Sequence, residues 1–514
     1  MNSEENSNVS SMTHNLDEIM GETRLLIEEG KLERAKSILM RERENLPNDP
    51  LLNLQLGRIF VQQNRTEESL HFLWSAYNIA PNMPSGVAIL ALALQKTGKA
   101  FHAQKILRQA LVNDPSDIVL LTRYASLLQF QQNFQRSITF NERILVIFPM
   151  SLLAHANIAE AFAELEDYDQ SLKNIEEALS RADVPQVRLN KAINLFLMER
   201  YSDGWSEYEA RLDPSIPEAP KRLLRVPRWN WETLKNKTIL VCSEQGVGDE
   251  IYFSAYIPKI KKLAQNVIME TDPRLVNLFK RSFDGVNVHA YSRRIIDGRP
   301  IFSYGWLKKM KKPDFYIDLA SLPHFLSDTH VHPLNNGYHL KHDCKDGLFW
   351  REEIERLSVG KPVIGLFWRS GLFTPERQHF YPSIRFWGPI LTMPNVCFLS
   401  LQYDDHADDI KLAQELFDAS FIKIQSADLR NDLDQLAAIC SGLAGVISPS
   451  TTTAHLAAAV GTKTIIIDKT KTWSPIVNNF DAILPSIEHI YPPTGAGWNW
   501  VFEQTRGKVE RWLD

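Results

Sequence analysis

The chain has 514 residues, more than a single hydrophobic core usually holds, so we expect about three domains. Its 44% hydrophobic and 23% charged residues are typical of an ordinary soluble globular protein. The formal net charge of −5 argues against a nucleic-acid-binding protein, because such proteins usually show a basic surface.

The first residues, the apolar runs and the cysteines favour a cytoplasmic protein. Residues 1–15 are polar and lack the apolar stretch of a secretory signal. The longest apolar run, VAILALAL over 87–94, is far shorter than the ~20 residues that a membrane-spanning helix needs. The cysteines are far apart and lack metal-site spacing, so we interpret them as buried thiols in a reducing compartment. They are Cys242, Cys344, Cys397 and Cys440.

Residues 17–187 repeat with a period of 34. Prolines recur at 47, 81, 115 and 149, and small residues recur in the same register. The small residues form three columns: Ala35, Ser69, Ala103, Ser137 and Ser171; Gly57, Ala91, Ala125 and Ala159; and Ala76, Ala110 and Ala178. This period is typical of the tetratricopeptide repeat, in which each unit is a pair of antiparallel helices. Small side chains let the helices approach closely, and proline ends a helix because it lacks an N–H donor.

We therefore predict a disordered N-terminus over 1–16 and a tetratricopeptide solenoid over 17–212. The helical pair over 188–212 would close the solenoid, since a stacked array needs an atypical terminal unit. Such arrays usually bind an extended peptide or a partner helix in a concave groove. A spacer or an oligomerisation arm is the alternative role.

After a proline-rich segment, predicted to be a linker over 213–237, strands and helices alternate. This alternation predicts α/β structure in two Rossmann-like domains, over 238–345 and 346–514, the second ending in a helix. The predicted strands cover 238–243, 266–271, 286–291, 362–368, 396–402, 421–426, 445–450 and 462–468. Ligand is expected in a cleft at the carboxyl ends of these strands.

The stretch SEQGVGDEIYF over 243–253 follows the first predicted strand and opens a helix. Gly246 and Gly248 match the start of a dinucleotide-binding G-x-G-x-x-G pattern, with Glu270 available as the ribose acid. Ile251 breaks the pattern, and Asp249 beside the helix start would repel a phosphate. A carboxylate here is instead placed to take a proton from an attacking hydroxyl, or it simply caps the helix.

A second motif, SPSTTTAHLAAAVG over 448–461, places hydroxyl groups at a helix start, where backbone N–H groups favour phosphate. Arg369 and Ser370 follow the first strand of the second domain, and an arginine there would neutralise a diphosphate. Arg377 and Arg385 flank the next loop. These patterns predict an acid on one side of the cleft and an anion-binding surface on the other. The anion-binding residues are Arg369, Ser370, Ser450, Thr451, Thr452, Thr453 and His455.

These motifs resemble those of the heptosyltransferase-like (family 9) glycosyltransferases, which have the GT-B fold. EQGVGDEIYFSAYIPKI resembles their N-terminal signature, and SPSTTTAHLAAAVGTKTIII resembles their motif for the nucleotide diphosphate. GWSEYEARL followed by WNWETLKNKTILVCSEQG looks like bacterial chains that fuse tetratricopeptide repeats to such a domain. The resemblance covers nearly the whole chain after residue 20.

The resemblance implies a role for several residues. Asp249 matches the catalytic base, and Gly246 and Gly248 match the turn that presents it. The stretch from Ser450 to His455 matches the residues that hold the donor diphosphate, and Arg369 lies near the family's basic position. Asp432 matches a recurrent position of unassigned role. Ser450 stands where the family usually has Asp, and the proline after its motif glycine is absent.

The resemblance thus implies a glycosyltransferase, with a nucleotide sugar as substrate and without a cofactor or a metal. Its acceptor hydroxyl would lie on a protein bound by the repeats, a bacterial surface subunit of the flagellin type being one candidate. Two alternatives stay open. One is a repeat scaffold with a degenerate transferase domain, and the other is a transferase for lipid-linked or polysaccharide acceptors.

Overall fold

The computed structural model of the chain describes residues 16–296, 298–326, 338–370, 381–424, 427–477, 479–493 and 495–513. Residues 1–15 of the predicted disordered segment lie outside the described residues, as does Arg377, whereas residue 16 begins the first helix. The chain divides into two compact units, Met1–Val187 and Arg188–Asp514. Within the described ranges, no helix has the length and apolar character needed to cross a membrane.

The first unit is a tetratricopeptide-like helical solenoid. Connections of three to five residues join consecutive helices, which makes them antiparallel neighbours. Alternate helices begin 34 residues apart, for example at Pro50 and Pro84, and the prolines of the repeat lie two residues beyond helix ends. The helices are α1 (16–28), α2 (Leu32–Asn45), α3 (Pro50–Gln62), α4 (Thr66–Ile79), α5 (Pro84–Lys96), α6 (Ala100–Asn113), α7 (Ile118–Phe130), α8 (Phe134–Ile147), α9 (Leu152–Glu164) and α10 (Tyr168–Leu179). The next helix, α11 (Pro185–Leu197), begins in the first unit and continues into the second.

The columns of small residues lie at the contacts between helices, as predicted. All of them are buried. A Cβ added to Gly57 would lie 2.4 Å from Leu73 Cδ2, so α3 and α4 approach too closely for any larger side chain there. The Ser137 hydroxyl donates to the Ala125 carbonyl at 3.0 Å, and the serine one repeat later makes the same bond. The period of the sequence is therefore the period of the packing.

The described residues of the second unit form three sheets. A parallel sheet has the order β4-β3-β2-β7, and a larger one has the order β10-β9-β8-β11-β12-β15-β14-β13 with antiparallel pairing only in β13–β15. A small sheet has the order β1-β6-β5. The strands are β1 (Lys221–Leu223), β2 (Thr238–Cys242), β3 (Asn266–Thr271), β4 (Val286–Ala290), β5 (Arg293–Ile296), β6 (Arg299–Ser303), β7 (Phe315–Asp318), β8 (Val363–Leu366), β9 (Cys397–Ser400), β10 (Phe421–Ile422), β11 (Gly445–Ser448), β12 (Thr464–Ile467), β13 (Ile476–Val477), β14 (Phe480–Asp481) and β15 (Ile487–Ile490).

The helices of this unit cover the sheets and one another. They are α12 (Tyr201–Tyr208), α13 (Val247–Phe253), α14 (Ile257–Leu263), α15 (Val276–Ser282), α16 (Leu322–Leu326), α17 (Cys344–Ser358), α18 (Gly388–Leu391), α19 (Ala407–Phe417), α20 (Leu433–Ser441), α21 (Thr452–Ala459) and α22 (Trp498–Leu513). Successive side chains of a strand point to opposite faces of its sheet, so β2 contributes to two hydrophobic clusters. Ile239 and Val241 face the helices, whereas Leu240 and Cys242 face the small sheet. One hydrophobic core contains residues of both parallel sheets together with α13 and α21.

Two predicted boundaries differ from the structure. The pair over 188–212, predicted to close the solenoid, belongs to the second unit, where Phe196 and Trp205 pack against Trp473 and Phe253. The predicted linker over 213–237 is integrated as well, since it supplies β1 and the buried Trp229. Proline restricts the backbone φ angle, but it does not determine whether the side chains between the prolines are buried. The proline content therefore could not distinguish an exposed linker from an integrated segment.

Candidate functional site

A cavity of about 300 Å³ lies in the second unit, where α13 meets α21. Its volume is at the lower end of the range for small-molecule sites. Most of the lining side chains carry a hydroxyl or an aromatic ring. The lining residues are Gly248, Asp249, Tyr252, Phe367, Ser370, Tyr381, Tyr403, Ser450, Thr451, Thr452, Thr453, His455, Trp473 and Ser474. The cavity therefore brings together the two motifs that the sequence places about 200 residues apart.

The first motif forms a tight turn between β2 and α13. Gly246 is the N-terminal cap of α13, and its N–H donates to Asp249 Oδ2 at 3.0 Å. Burial raises the pKa of Asp249 to about 6, and the neighbouring Glu244 carboxylate adds to the rise, while the Gly246 N–H opposes it. Asp249 thus caps its helix and also lines the cavity, with a pKa close to that of a general base at neutral pH.

The adjacent acid of the motif has a different environment. Glu250 is buried away from the cavity, and its Oε2 accepts bonds from Thr271 Oγ1 at 2.6 Å and from the Asp272 N–H at 2.8 Å. Burial raises the pKa of Glu250 to about 8. Successive helical residues point about 100° apart, so only one of the two acids faces the cavity.

The second motif forms the opposite side of the cavity. Thr451 caps α21 by accepting a bond from the Ala454 N–H, and its Oγ1 lies 2.9 Å from Ser448 Oγ. The hydroxyls of Ser450 and Thr452, on either side of this cap, also line the cavity. A helix start with nearby hydroxyls is a suitable environment for an anion.

His455 joins the two motifs. Its Nδ1 lies 3.2 Å from the Gly248 carbonyl oxygen, which can only accept a hydrogen bond, so Nδ1 carries the proton. Burial lowers the pKa of His455, which favours the neutral ring. Its Nε2 is then an acceptor. His455, predicted to bind an anion, could therefore donate a hydrogen bond from Nε2 to a phosphate oxygen only with a protonated ring.

Gly248 allows the two helices to meet. A Cβ added there would lie 3.2 Å from Thr452 Oγ1 and 3.4 Å from His455 Nδ1. Its backbone needs no left-handed conformation, so glycine is required for the close approach rather than for the turn.

Three predicted site residues, Gly246, Arg369 and Asp432, are not among the residues that line this cavity. The Arg369 guanidinium bonds to Asp404 Oδ2 at 3.2 Å and forms an ion pair with Asp409. Asp432 is exposed and caps α20 by accepting a bond from the Gln435 N–H at 2.9 Å. Among the described residues that line the cavity, none is a lysine or an arginine.

Several lining residues were absent from the predicted site: Tyr252, Phe367, Tyr381, Tyr403, Trp473 and Ser474. Phe367 directly follows β8, Tyr403 follows β9, and Trp473 follows β12. All three therefore lie after the carboxyl ends of parallel strands. The rule that ligands bind at these ends would have found them.

A buried ion-pair network lies at the carboxyl ends of β2, β3 and β7. Arg222 bonds to Glu270 Oε1 at 2.9 Å and to Asp318 Oδ1 at 2.8 Å, and Arg228 also reaches Asp318. Glu270 is fully buried, with its pKa raised to about 7 by burial against the opposing charge of Arg222. Glu270 is therefore unsuited to bind a ribose, which removes the support for a dinucleotide site.

No known family model matches the chain. Protein FlbA of Caulobacter vibrioides is 28% identical over 473 residues, which cover 90% of this chain and 78% of FlbA. Among solved structures, a tetratricopeptide repeat protein of Parabacteroides merdae aligns with a TM-score of 0.33 and 20% identity, over 38% of this chain and 77% of its own. TTC0263, a thermophilic tetratricopeptide protein of Thermus thermophilus, aligns with a TM-score of 0.32 and 16% identity, over 35% of this chain and 98% of its own. The helical pairs described above, rather than these alignments, identify the N-terminal solenoid.

Proposed function

We propose that the chain is a glycosyltransferase of the GT-B type that transfers a sugar from a nucleotide-activated donor to a hydroxyl group of a protein. The observation that carries the proposal is the cavity at the meeting of α13 and α21. It combines a carboxylate of raised pKa with a helix start surrounded by hydroxyls. This is the arrangement that the resemblance to the family 9 glycosyltransferases implies for Asp249 and for the stretch from Ser450 to His455.

The reaction is a direct displacement at the anomeric carbon. Asp249, in its ionised form, takes the proton of the acceptor hydroxyl, and the acceptor oxygen forms a bond to the sugar carbon. The bond from that carbon to the phosphate oxygen breaks, and its electrons leave with the nucleoside diphosphate. Because attack and departure occur on opposite faces, the configuration inverts.

The opposite side of the cavity is suited to the leaving group. Hydroxyls at the start of α21 and the helix dipole stabilise the negative charge that develops on the phosphate. The rings of Phe367, Tyr403 and Trp473 offer apolar faces on which a sugar or a base can stack. The Arg369 ion pairs would have to open before that guanidinium could reach a donor.

The solenoid would present the acceptor. Arrays of this kind recognise protein segments. With a protein acceptor, the repeats would bind the substrate that the transferase modifies. Serine and threonine hydroxyls are the acceptor groups that this chemistry requires. A flagellin-type surface subunit stays a candidate for that acceptor.

The test compares Asp249→Asn with Asp343→Asn in the full chain. Asp343 also caps a helix of the same unit, through the Lys345 and Asp346 N–H groups, but it is not among the cavity-lining residues. Donors are first identified by thermal shift with UDP-, GDP- and dTDP-activated sugars. Transfer is then followed by intact mass spectrometry of co-expressed acceptor candidates.

Loss of a general base costs about 10²–10⁴ in rate, so Asp249→Asn should lower turnover by that factor. Donor affinity should stay within about three-fold, because the donor contacts lie on α21. Asp343→Asn should retain wild-type turnover. Equal turnover in the two variants would eliminate Asp249 as the base.

A repeat scaffold with a degenerate transferase domain is the second candidate. It is favoured by the bond from the Gly246 N–H to Asp249, since this contact alone gives the carboxylate a structural role. The absence of a thermal shift with every activated sugar, together with retained binding of a protein partner, would support the scaffold.

A further inference from the structure

We propose that Tyr208 and Arg211 are positioning residues for the turn that carries Asp249. The sequence assigns both to the end of the solenoid, but they belong to the second unit. The effect of these residues on catalysis rests on the proposed function. Their effect on the turn does not, because the turn can be studied without a substrate.

Arg211 fixes the residue that begins the turn. It is 6% exposed, and it holds both carboxylate oxygens of Glu244, with Nε–Oε2 at 3.0 Å and Nη2–Oε1 at 2.8 Å. The Ala320 N–H donates to the same Oε1 at 2.9 Å. A two-pronged contact of this kind sets both the distance and the plane of the carboxylate. Glu244 is thereby fixed two residues before Gly246.

Tyr208 holds the next residue of the turn. Gln245 has a φ of 60°, in the left-handed region that a residue with a side chain seldom adopts. Its Nε2 donates to the Tyr208 hydroxyl at 2.8 Å. A strained backbone of this kind persists only where its surroundings hold it. The Tyr208 hydroxyl is a contact that does so.

Tyr208 also contacts a residue on the other side of the cavity. The Tyr208 ring stacks on that of Trp473, with centroids 6.1 Å apart and planes at 24°, and Trp473 lines the cavity. The Arg211 guanidinium lies over the Tyr208 ring, 4.7 Å from its centroid. One tyrosine–arginine pair therefore contacts both the turn before Asp249 and a ring on the opposite side.

Tyr208 could instead serve only to pack the end of α12. Two tyrosines of this helix distinguish that role from the positioning of the turn. Tyr201 lies on the same helix, and its hydroxyl bonds to the Ile476 backbone, with O at 2.9 Å and N at 3.2 Å. Among the described residues, no hydrogen bond joins the Tyr201 hydroxyl to the turn; its bonds go to Ile476. Tyr201→Phe and Tyr208→Phe each delete one hydroxyl from α12 while they keep the ring.

The first measurement is hydrogen exchange of the full chain without ligand. In Tyr208→Phe, amides over 245–250 should exchange about ten-fold faster, because the hydroxyl that holds Gln245 is gone. In Tyr201→Phe, exchange over 245–250 should equal that of the wild type. Unchanged exchange in Tyr208→Phe would overturn the proposal, and so would an equal increase throughout the second unit.

The second measurement is the steady-state kinetics of the same variants with the activated sugar that gives the largest thermal shift. Tyr208→Phe should lower kcat about ten-fold and leave the donor KM within about two-fold, because the turn holds the base rather than the donor. Arg211→Lys keeps the charge but not the two-pronged contact, and it should show the same division between kcat and KM. A rise in KM at unchanged kcat would overturn the positioning role.

The two proposals can fail separately. If the wild type turns over no activated sugar but exchange over 245–250 still responds to Tyr208→Phe, the transferase function is wrong and the positioning of the turn stands. If the wild type is active and Tyr208→Phe matches it in both measurements, the positioning role is wrong and the transferase function stands.

Discussion

At the scale of single residues, the chemistry of the cavity depends on how two neighbouring acids differ. Asp249 lines the cavity, whereas Glu250 is bonded to Thr271 and Asp272 in the interior. Burial raises the pKa of both carboxyls, to about 6 and about 8. Only the first combines access to a ligand with a pKa below neutral pH, so it can act as an ionised base under ordinary conditions.

The raised pKa of Asp249 predicts opposite pH dependences for rate and stability. Its ordinary value is 3.8, so the folded state holds this proton more tightly than the unfolded chain between pH 3.8 and about 6. The contribution of Asp249 to the free energy of unfolding therefore falls as the pH rises through that window. Transfer should rise through the same window, because the base becomes ionised.

We therefore expect Asp249→Asn to be more stable than the wild type at pH 8, by on the order of 1 kcal/mol, and to lose this advantage at pH 4. Thermal unfolding at several pH values measures the difference. Asp343→Asn should change stability in the other direction, since hydrogen bonds from backbone N–H groups lower the pKa of Asp343. A stability difference for Asp249→Asn that does not vary with pH would contradict the raised pKa.

At the scale of elements, the close approach of α13 and α21 is the feature that forms the cavity. Gly248→Ala would place a methyl group 3.2 Å from Thr452 Oγ1 and 3.4 Å from the Thr452 Cα, so one helix must move by a few tenths of an ångström. We expect a loss of about 1–2 kcal/mol in stability and weaker donor binding, because the hydroxyls at the start of α21 shift.

Gly305→Ala is the matched control for this substitution. An added Cβ at Gly305 would meet nothing within 4 Å, so its effect should stay within about 0.5 kcal/mol. Chemical denaturation gives both stabilities, and thermal shift with activated sugars gives the binding. Equal behaviour of the two variants would show that α21 tolerates a larger residue at position 248.

The elements were predictable wherever a local rule governs them. The 34-residue period located the solenoid helices, because proline and small residues act through the backbone and through adjacent helices. The strands β2, β3 and β12 were predicted because buried parallel strands are continuous apolar runs. The glycine turn and the hydroxyl-rich helix start were predicted from short motifs. That they face one another in one cavity follows from the packing of α13 on α21, which no local pattern specifies.

The ion-pair partners of the arginines were not predictable from the sequence. The sequence offers many acidic residues, and the tertiary packing decides which of them lies beside a given arginine. Arg369 follows a strand end, as an anion-binding arginine would, yet it pairs with Asp404 and Asp409, 35 and 40 residues away. Arg211 similarly pairs with Glu244 across 33 residues. The GT-B assignment and the donor site therefore stay predictions, whereas the solenoid and the parallel sheets are features of the structure.

At the scale of the whole molecule, the boundary between the units decides which fragments are informative. A fragment over 213–514 lacks Arg211 and leaves Glu244, which is 3% exposed, without its ion-pair partner. An unpaired buried charge costs about 3–5 kcal/mol, a large part of the stability of a typical domain. The aromatic contacts of Phe253 and Trp473 with residues of 188–212 would be lost as well.

We expect the fragment over 188–514 to unfold cooperatively and to retain donor binding and slow donor hydrolysis, whereas the fragment over 213–514 aggregates. Circular dichroism during heating and size-exclusion chromatography measure folding, and thermal shift with activated sugars measures binding.

If the repeats bring a protein acceptor to the cavity, the fragment over 188–514 should lose transfer to that protein while it still hydrolyses the donor. Full transfer to protein by this fragment would show that the solenoid is not needed to recognise the acceptor. Cooperative unfolding of 213–514 would show that the pair over 188–212 is dispensable for the fold. Neither the unpaired charge of Glu244 nor the lost contacts of the Phe253 and Trp473 rings would then prevent folding.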